Sequence, residues 1–215
     1  PDIPLAPRNI RNTLQAKNFF DCNCHFTTTE WQREQYPEGM RGFISVLRKC
    51  VDTEFFAPAP ASRFSFGDCE LTERQEIVTL SVRDAARLRE GGFWCELPSL
   101  LSARPDCHVV LISTGKEVRL DCLRESMAAF PSGMRGRIHL LDFLPPGAYR
   151  DLLCVSSLHL CKDISFMLPS ELLEAMSCGC VVLAPDTGAV REVLSDGQNG
   201  FLYPSGRRMN WVMLI

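Results

Sequence analysis

The chain has 215 residues, with 23 Lys and Arg against 26 Asp and Glu, and its net charge of -3 gives no electrostatic case for nucleic acid or an anionic membrane. That length suits one well-cored domain, or one domain plus an appended segment. No apolar run approaches the roughly 20 residues of a membrane span, and no basic-then-apolar start signals a leader, so a soluble cytoplasmic protein is expected.

Taken in order, residues 1–20 show no complete strand-helix pattern: Pro4, Pro7 and Asn9 argue for an irregular approach to a short helix near 10–17. Thr28 and Thr29 can cap a helix carrying Trp31, Arg33 and Glu34 that ends before Pro37, and 42–47 is a β-rich run. From 55 to 72 Pro58, Pro60 and Gly67 mark a loop or linker. A main domain then opens at Glu76. Strands are predicted at 77–82, 107–112, 137–141 and 157–160, and helices within 93–103, near 117–130 and at 147–153.

The last stretch, 166–204, is the most informative. Leu172, Leu173 and Met176 share a helical face, Pro169 and Glu171 suit a first turn, and Gly179 stops the helix. Residues 180–184 have the length and composition of a strand buried on both faces. A further helix over 189–194 and a turn at 196–200 lead into a strand at 201–203. Alternating strands and helices predict an α/β fold, a Rossmann-like parallel sheet with helices on both faces and ligands at the carboxyl ends of its strands.

Eleven cysteines, an odd number, leave at least one unpaired. Cys95, Cys107, Cys154, Cys161, Cys178 and Cys180 fall in or beside predicted core elements, as reduced, buried, small hydrophobes do. Neither Cys22-Asn23-Cys24-His25 nor Cys178-Gly179-Cys180 has the C-x2-C pairing of a zinc site. His139 and His159 lie in predicted strands and read as satisfied core histidines. No Ser/His/Asp arrangement or G-x-x-x-x-G-K-[ST] loop occurs.

Glu174-Ala175-Met176-Ser177-Cys178-Gly179-Cys180, with Val190-Arg191-Glu192-Val193 and Asn199-Gly200, resembles the donor-sugar end of retaining glycosyltransferase family 4, the glycosyl transferases group 1. The resemblance runs back without a gap to His139, more loosely to Glu76, and includes TTEWQREQYP at 28–37 and VDTEFF at 51–56. It implies one Rossmann-like half of the GT-B fold, mainly the C-terminal nucleotide-sugar-binding domain. Residues 1–72 are then a remnant of the N-terminal domain and the inter-domain linker, 73–204 the donor-binding domain and 205–215 a tail. The beginning at Pro1 is read as a start within a longer protein.

The resemblance also implies a site. Arg83, directly after the first main strand, and Arg89, six positions on, match the basic pair that grips the donor diphosphate and serve as the catalytic residues, with Arg87 between them as a substitute. Glu174 matches the acid that accepts hydrogen bonds from the ribose hydroxyls, a task suited to a carboxylate. Its partner acid belongs eight positions earlier, where this chain has Phe166. Backbone groups at Phe166, Met167 and Leu168 are expected near the phosphate or sugar, and Ser113, Phe143, Leu144 and Lys116 near the nucleoside. Asp84 and Asp142 stand where the family favours glycine. No cofactor and no metal are expected; the partners are a nucleotide sugar and an unidentified acceptor.

Three readings follow. The first is the donor-binding portion of a retaining transferase, and the second is a catalytically inactive nucleotide-binding or interaction module derived from it. The third, a dinucleotide oxidoreductase, lacks G-x-G-x-x-G after its first strand, where the chain reads Arg83-Asp84-Ala85-Ala86-Arg87.

Overall fold

A computed structural model of the chain describes residues 19, 21–59, 63–90, 92–114, 119–162, 166–204 and 215. The helix expected near 10–17, Lys116, the Arg87 side chain and the tail at 205–214 lie outside the described residues. The chain divides into two compact units, Pro1–Lys49 and Cys50–Ile215.

In the first unit β1 (His25–Thr27) and β2 (Ile44–Val46) pair in parallel, and between them run α1 (Glu30–Glu34) and α2 (Glu38–Arg41). Thr29 caps α1 as expected: its hydroxyl accepts from Gln32 N, while the Gln32 side-chain Oε1 accepts from the amides of Thr28 and Thr29.

The second unit opens with a hairpin, β3 (Arg63–Phe66) and β4 (Cys69–Thr72), where an irregular linker was predicted. Gly67 turns it at a φ of 52°. Its alternation, Phe64 and Leu71 inward with Ser65 and Glu70 between, is too short to register beside the flanking prolines. Then come β5 (Glu76–Val82), α3 (Ala85–Glu90), α4 (Gly92–Ala103), β6 (Cys107–Ser113), α5 (Asp121–Met127), α6 (Ser132–Arg135), β7 (Ile138–Leu141), α7 (Pro146–Val155), β8 (Leu158–Leu160), α8 (Ser170–Ser177), β9 (Val181–Asp186), α9 (Gly188–Arg191) and β10 (Phe201–Pro204).

Six of these strands form one parallel sheet in the order β10-β9-β8-β5-β6-β7. The chain winds outward from β5 to β7, returns to the other side of β5 as β8, and winds outward again, so the order reverses between β5 and β8.

Both faces are covered, and the period of two shows how. Val78, Leu80 and Val82 pack with Phe93, Leu97 and Leu101 of α4, whereas Ile77 packs with Leu152 and Val155 of α7. On the latter face Val182 and Ala184 of β9 meet Leu172 and Ala175 of α8. Each fully buried aliphatic side chain contributes about 1.5–3 kcal/mol on leaving water. Cys95 departs from expectation: it is exposed, because α4 turns Phe93, Trp94, Leu97, Leu100 and Leu101 to the core and leaves Cys95 on the outer face.

Two glycines set the geometry of the last stretch. Gly179, at φ 81°, ends α8 as a Schellman turn, its amide bonding to Met176 O and that of Cys180 to Ala175 O. Gly200 brings the backbone close to β9: a Cβ there would lie 2.9 Å from Val182 O and 2.8 Å from Leu194 Cδ1. The helix expected over 189–194 is shorter, a single turn capped by the Thr187 hydroxyl.

Candidate active site

The order reversal opens a crevice at the carboxyl ends of the strands, and residues remote in sequence line it. Arg83 follows β5, Ser113 ends β6, Phe143 and Leu144 follow β7, Tyr149 comes from α7, and Glu171 and Glu174 from α8. Together they enclose a cleft of about 370 Å³. A segment before the sheet closes one side: Phe56 also lines the cleft, and its carbonyl accepts from Ser177 Oγ at the end of α8.

Of the residues singled out in the sequence, Arg83, Ser113, Phe143, Leu144 and Glu174 come together here. Arg89 does not line the cleft. The segment carrying it is the helix α3, and Arg89 sits half-buried near its end. Phe166 and Met167 are exposed and Leu168 is buried in the core, and none of the three lines the cleft.

Two participants were not anticipated. Glu171, expected only as a first-turn acid, is 9% exposed and faces Arg83, whose Nη2 lies 3.4 Å from its Oε1. The second is Tyr149, whose hydroxyl is enclosed near Ser81 without a well-formed hydrogen bond. Burial pushes its phenol well above the usual range, and the carboxylates of Glu171 and Glu174 push it further, so it stays protonated. The signal for Tyr149 lay in the helix pattern of 147–153, whose face toward the sheet could be read but whose reach into the cleft could not.

The first turn of α8 borders the same cleft through Ser170 and Glu171, and its N-cap, Pro169, offers those amides no side-chain acceptor. A guanidinium, the first turn of a helix and a carboxylate at Glu174 are groups that can hold a phosphorylated, hydroxyl-bearing ligand.

His159 corrects the expectation of a satisfied core histidine. Its Nδ1 is 2.9 Å from Thr79 Oγ1, but its Nε2 is buried without a partner. His139 fits that expectation, its Nε2 lying 2.9 Å from His108 Nδ1. All eleven cysteines are free thiols. Among the described residues no helix is long and apolar enough to cross a membrane.

A doubly wound parallel sheet with a ligand cleft at its switch point is a Rossmann-like domain, the architecture of one half of a GT-B protein. The chain belongs to the glycosyl transferases group 1 family, whose sequence profile matches residues 93–213, more than half of its length. Among curated relatives, alpha-maltose-1-phosphate synthase of Mycobacterium tuberculosis is 27% identical over 169 residues, covering 78% of this chain and 43% of that protein. Phosphatidyl-myo-inositol mannosyltransferase of Mycolicibacterium smegmatis is 30% identical over 154 residues, 72% of this chain and 37% of that protein. The chain therefore spans 43% or less of the length of these two relatives.

Solved structures share the fold. Anabaena HepE in complex with UDP-glucose superposes with a TM-score of 0.66 at 16% identity, covering 90% of this chain and 53% of that one. TarM gives a TM-score of 0.69 at 14% identity, with 94% and 38% covered.

Proposed function

We infer that the cleft binds a nucleoside-diphosphate sugar and that the chain is the donor-binding portion of a retaining glycosyltransferase. The single observation that carries this reading is the meeting of Arg83 and Glu174 at one crevice, from segments on either side of the switch point. Arg83 and the first-turn amides of α8 would take the diphosphate, Glu174 the ribose hydroxyls, and the backbone beside Ser113, Phe143 and Leu144 the nucleoside. In the reaction the bond from the anomeric carbon to the diphosphate oxygen breaks, the acceptor hydroxyl oxygen takes its place on the same face, and the hydroxyl proton leaves with the diphosphate. Negative charge grows on the leaving diphosphate, where a fixed guanidinium stabilises it more than it does the substrate. This chemistry asks for no metal at the diphosphate. Eleven free thiols support a reducing, cytoplasmic setting.

Titration with nucleoside diphosphates, their sugar conjugates and nicotinamide dinucleotides tests the reading. Binding of the first two classes is expected, weakened about 10- to 100-fold in Arg83→Ala and Glu174→Ala, as loss of a charge-assisted hydrogen bond requires. No binding by any diphosphate, or unchanged binding in both variants, would overturn it.

A second reading is the inactive nucleotide-binding or interaction module. It is favoured by Phe166, exposed where relatives place an acid toward the donor sugar, and by Glu171, a carboxylate already facing Arg83. Tight diphosphate binding without hydrolysis or transfer of the sugar would select it.

A further inference from the structure

Behind the cleft, against the sheet, three side chains with metal-ligating atoms converge. His159 lies in β8 and Cys161 directly follows it, two positions on, so both side chains leave the strand on one face. It is the face covered by α8, since Cys161 packs with Leu172 and Ala175. From above, Glu171 descends out of the first turn of that helix. One ligand atom from each of the three lies within 4.8 Å of the others. All three residues are buried, with exposures of 0%, 0% and 9%.

The His159 ring is held by its neighbour on one nitrogen. Thr79, opposite it on β5, has one hydroxyl proton, and its Oγ1 donates to Leu158 O at 3.3 Å. Its remaining contact, at 2.9 Å, is with His159 Nδ1, so with that proton assigned to Leu158 O the ring nitrogen donates. A neutral imidazole that donates from Nδ1 carries a bare lone pair on Nε2. That is the atom left without a partner in the interior. A ring oriented by a hydrogen bond on one nitrogen and open on the other is how proteins present histidine to a metal.

We propose that His159 Nε2, Cys161 Sγ and the Glu171 carboxylate form a binding site for a thiophilic divalent cation, with zinc as the fitting ion. An imidazole, a thiol and a carboxylate are all zinc donors, whereas magnesium and calcium take oxygen. Zinc-ligand bonds of about 2.0–2.3 Å in a tetrahedron hold the ligand atoms roughly 3.3–3.6 Å apart, so the trio, now within 4.8 Å of one another, closes by at most about an ångström. The Glu171 carboxylate, which a metal would draw away from Arg83 Nη2 at 3.4 Å, is the arm that closes the trio. Burial keeps the Cys161 thiol protonated in the metal-free chain, so binding transfers that proton to solvent as the S–Zn bond forms, with no change of oxidation state. Thiolate and carboxylate then balance the two charges of the ion. The fourth position is left to water or to a ligand in the cleft, which Glu171 also lines. This site does not depend on the donor reading, and the cation would stand on the strand side of the cleft rather than on a diphosphate.

The test uses the whole 215-residue chain, stripped with a chelator and titrated separately with Zn²⁺, Co²⁺ and Mg²⁺. One zinc per chain is expected, no magnesium, and with cobalt a thiolate-to-metal charge-transfer band. Cys161→Ala should abolish the band. Glu171→Gln and His159→Ala should each weaken zinc binding at least about 10-fold, and Thr79→Val, which frees the ring, about 10-fold. The double variant Cys22→Ser/Cys24→Ser controls for exposed thiols and should bind as the parent does. Circular dichroism identifies any variant that fails to fold; Cys161→Ser and Glu171→Gln, both close in shape to the native side chains, then decide the matter. Absence of a cobalt band, or a band that survives Cys161→Ala and disappears with Cys22 and Cys24, would overturn the assignment.

Discussion

Arg83 and Glu171 are 88 positions apart, yet the Nη2 of one lies 3.4 Å from the Oε1 of the other inside the cleft. The Arg83 side chain is 54% exposed, so the pair adds only about 0–1 kcal/mol to stability. On the donor-site reading proposed above its weight falls on ligand binding, because the guanidinium offered to an anion already faces a carboxylate.

Glu171→Gln should therefore leave stability within about 1 kcal/mol of the parent while tightening a nucleoside diphosphate about 3- to 10-fold, the value of removing one like charge at a part-exposed site. Calorimetric titration with UDP in chelator-containing buffer checks this. Unchanged or weaker binding would mean that the diphosphate does not approach Glu171.

Gly200→Ala should destabilise the chain by about 1–3 kcal/mol. The added methyl meets Val182 O at 2.9 Å, and backbone paired in a sheet cannot move aside as a side-chain end can. A lower urea midpoint with unchanged slope is expected; an unchanged midpoint would show that β10 and β9 can separate locally.

How much of this could be read beforehand differs by element. The six-strand parallel sheet announced itself because β5 and β6 are buried on both faces, which forces near-continuous apolar runs such as Ile77 to Leu80. The hairpin at Phe64 and Leu71 did not, since four-residue strands carry too little alternation to outweigh neighbouring prolines. Within the site, Arg83 and Glu174 were singled out by the family resemblance rather than by spacing, which alone would leave an arginine after a strand as a solvated side chain; the fold brings both to one cleft. Glu171 was underestimated because a first-turn acid is ordinary on any exposed helix. Only the fold shows that its helix begins over a strand end. His159 was misjudged for a related reason: a strand pattern reveals that a ring is buried, but not which of its nitrogens finds a partner.

The histidine pair at the β6–β7 junction predicts an acid limb in stability. His139 is pushed down to about 4, first by burial and then by His108; His108 is also lowered, by burial and by Arg137. The unfolded chain, with an ordinary histidine near 6.5, takes up protons before the folded one does. Stability is then complete above about pH 6.5 and falls as pH drops toward 4, by roughly 3 kcal/mol at most from His139. Melting temperatures between pH 7.5 and 4.5 check this. The decline should be shallower in His139→Gln, and a parallel decline in the two proteins would refute the assignment.

In the first unit, Thr29→Ala should cost α1 about 1 kcal/mol, since its hydroxyl accepts from Gln32 N at 3.1 Å and the reciprocal bond anchors the Gln32 side chain. Amide exchange at Gln32 and Arg33 should accelerate about 5-fold, with exchange in β5 and β6 unaffected. Uniform acceleration throughout the chain would refute a local cap.

The central strand β5 has its two neighbours at very different distances along the polypeptide: Val78 pairs with Val109 on one side and with Leu158 on the other. During synthesis on the ribosome, one flank of that apolar strand must wait for some eighty further residues before its partner emerges. At roughly 5–20 residues per second, that edge of the strand stays without its β8 neighbour for about 4–16 s of synthesis.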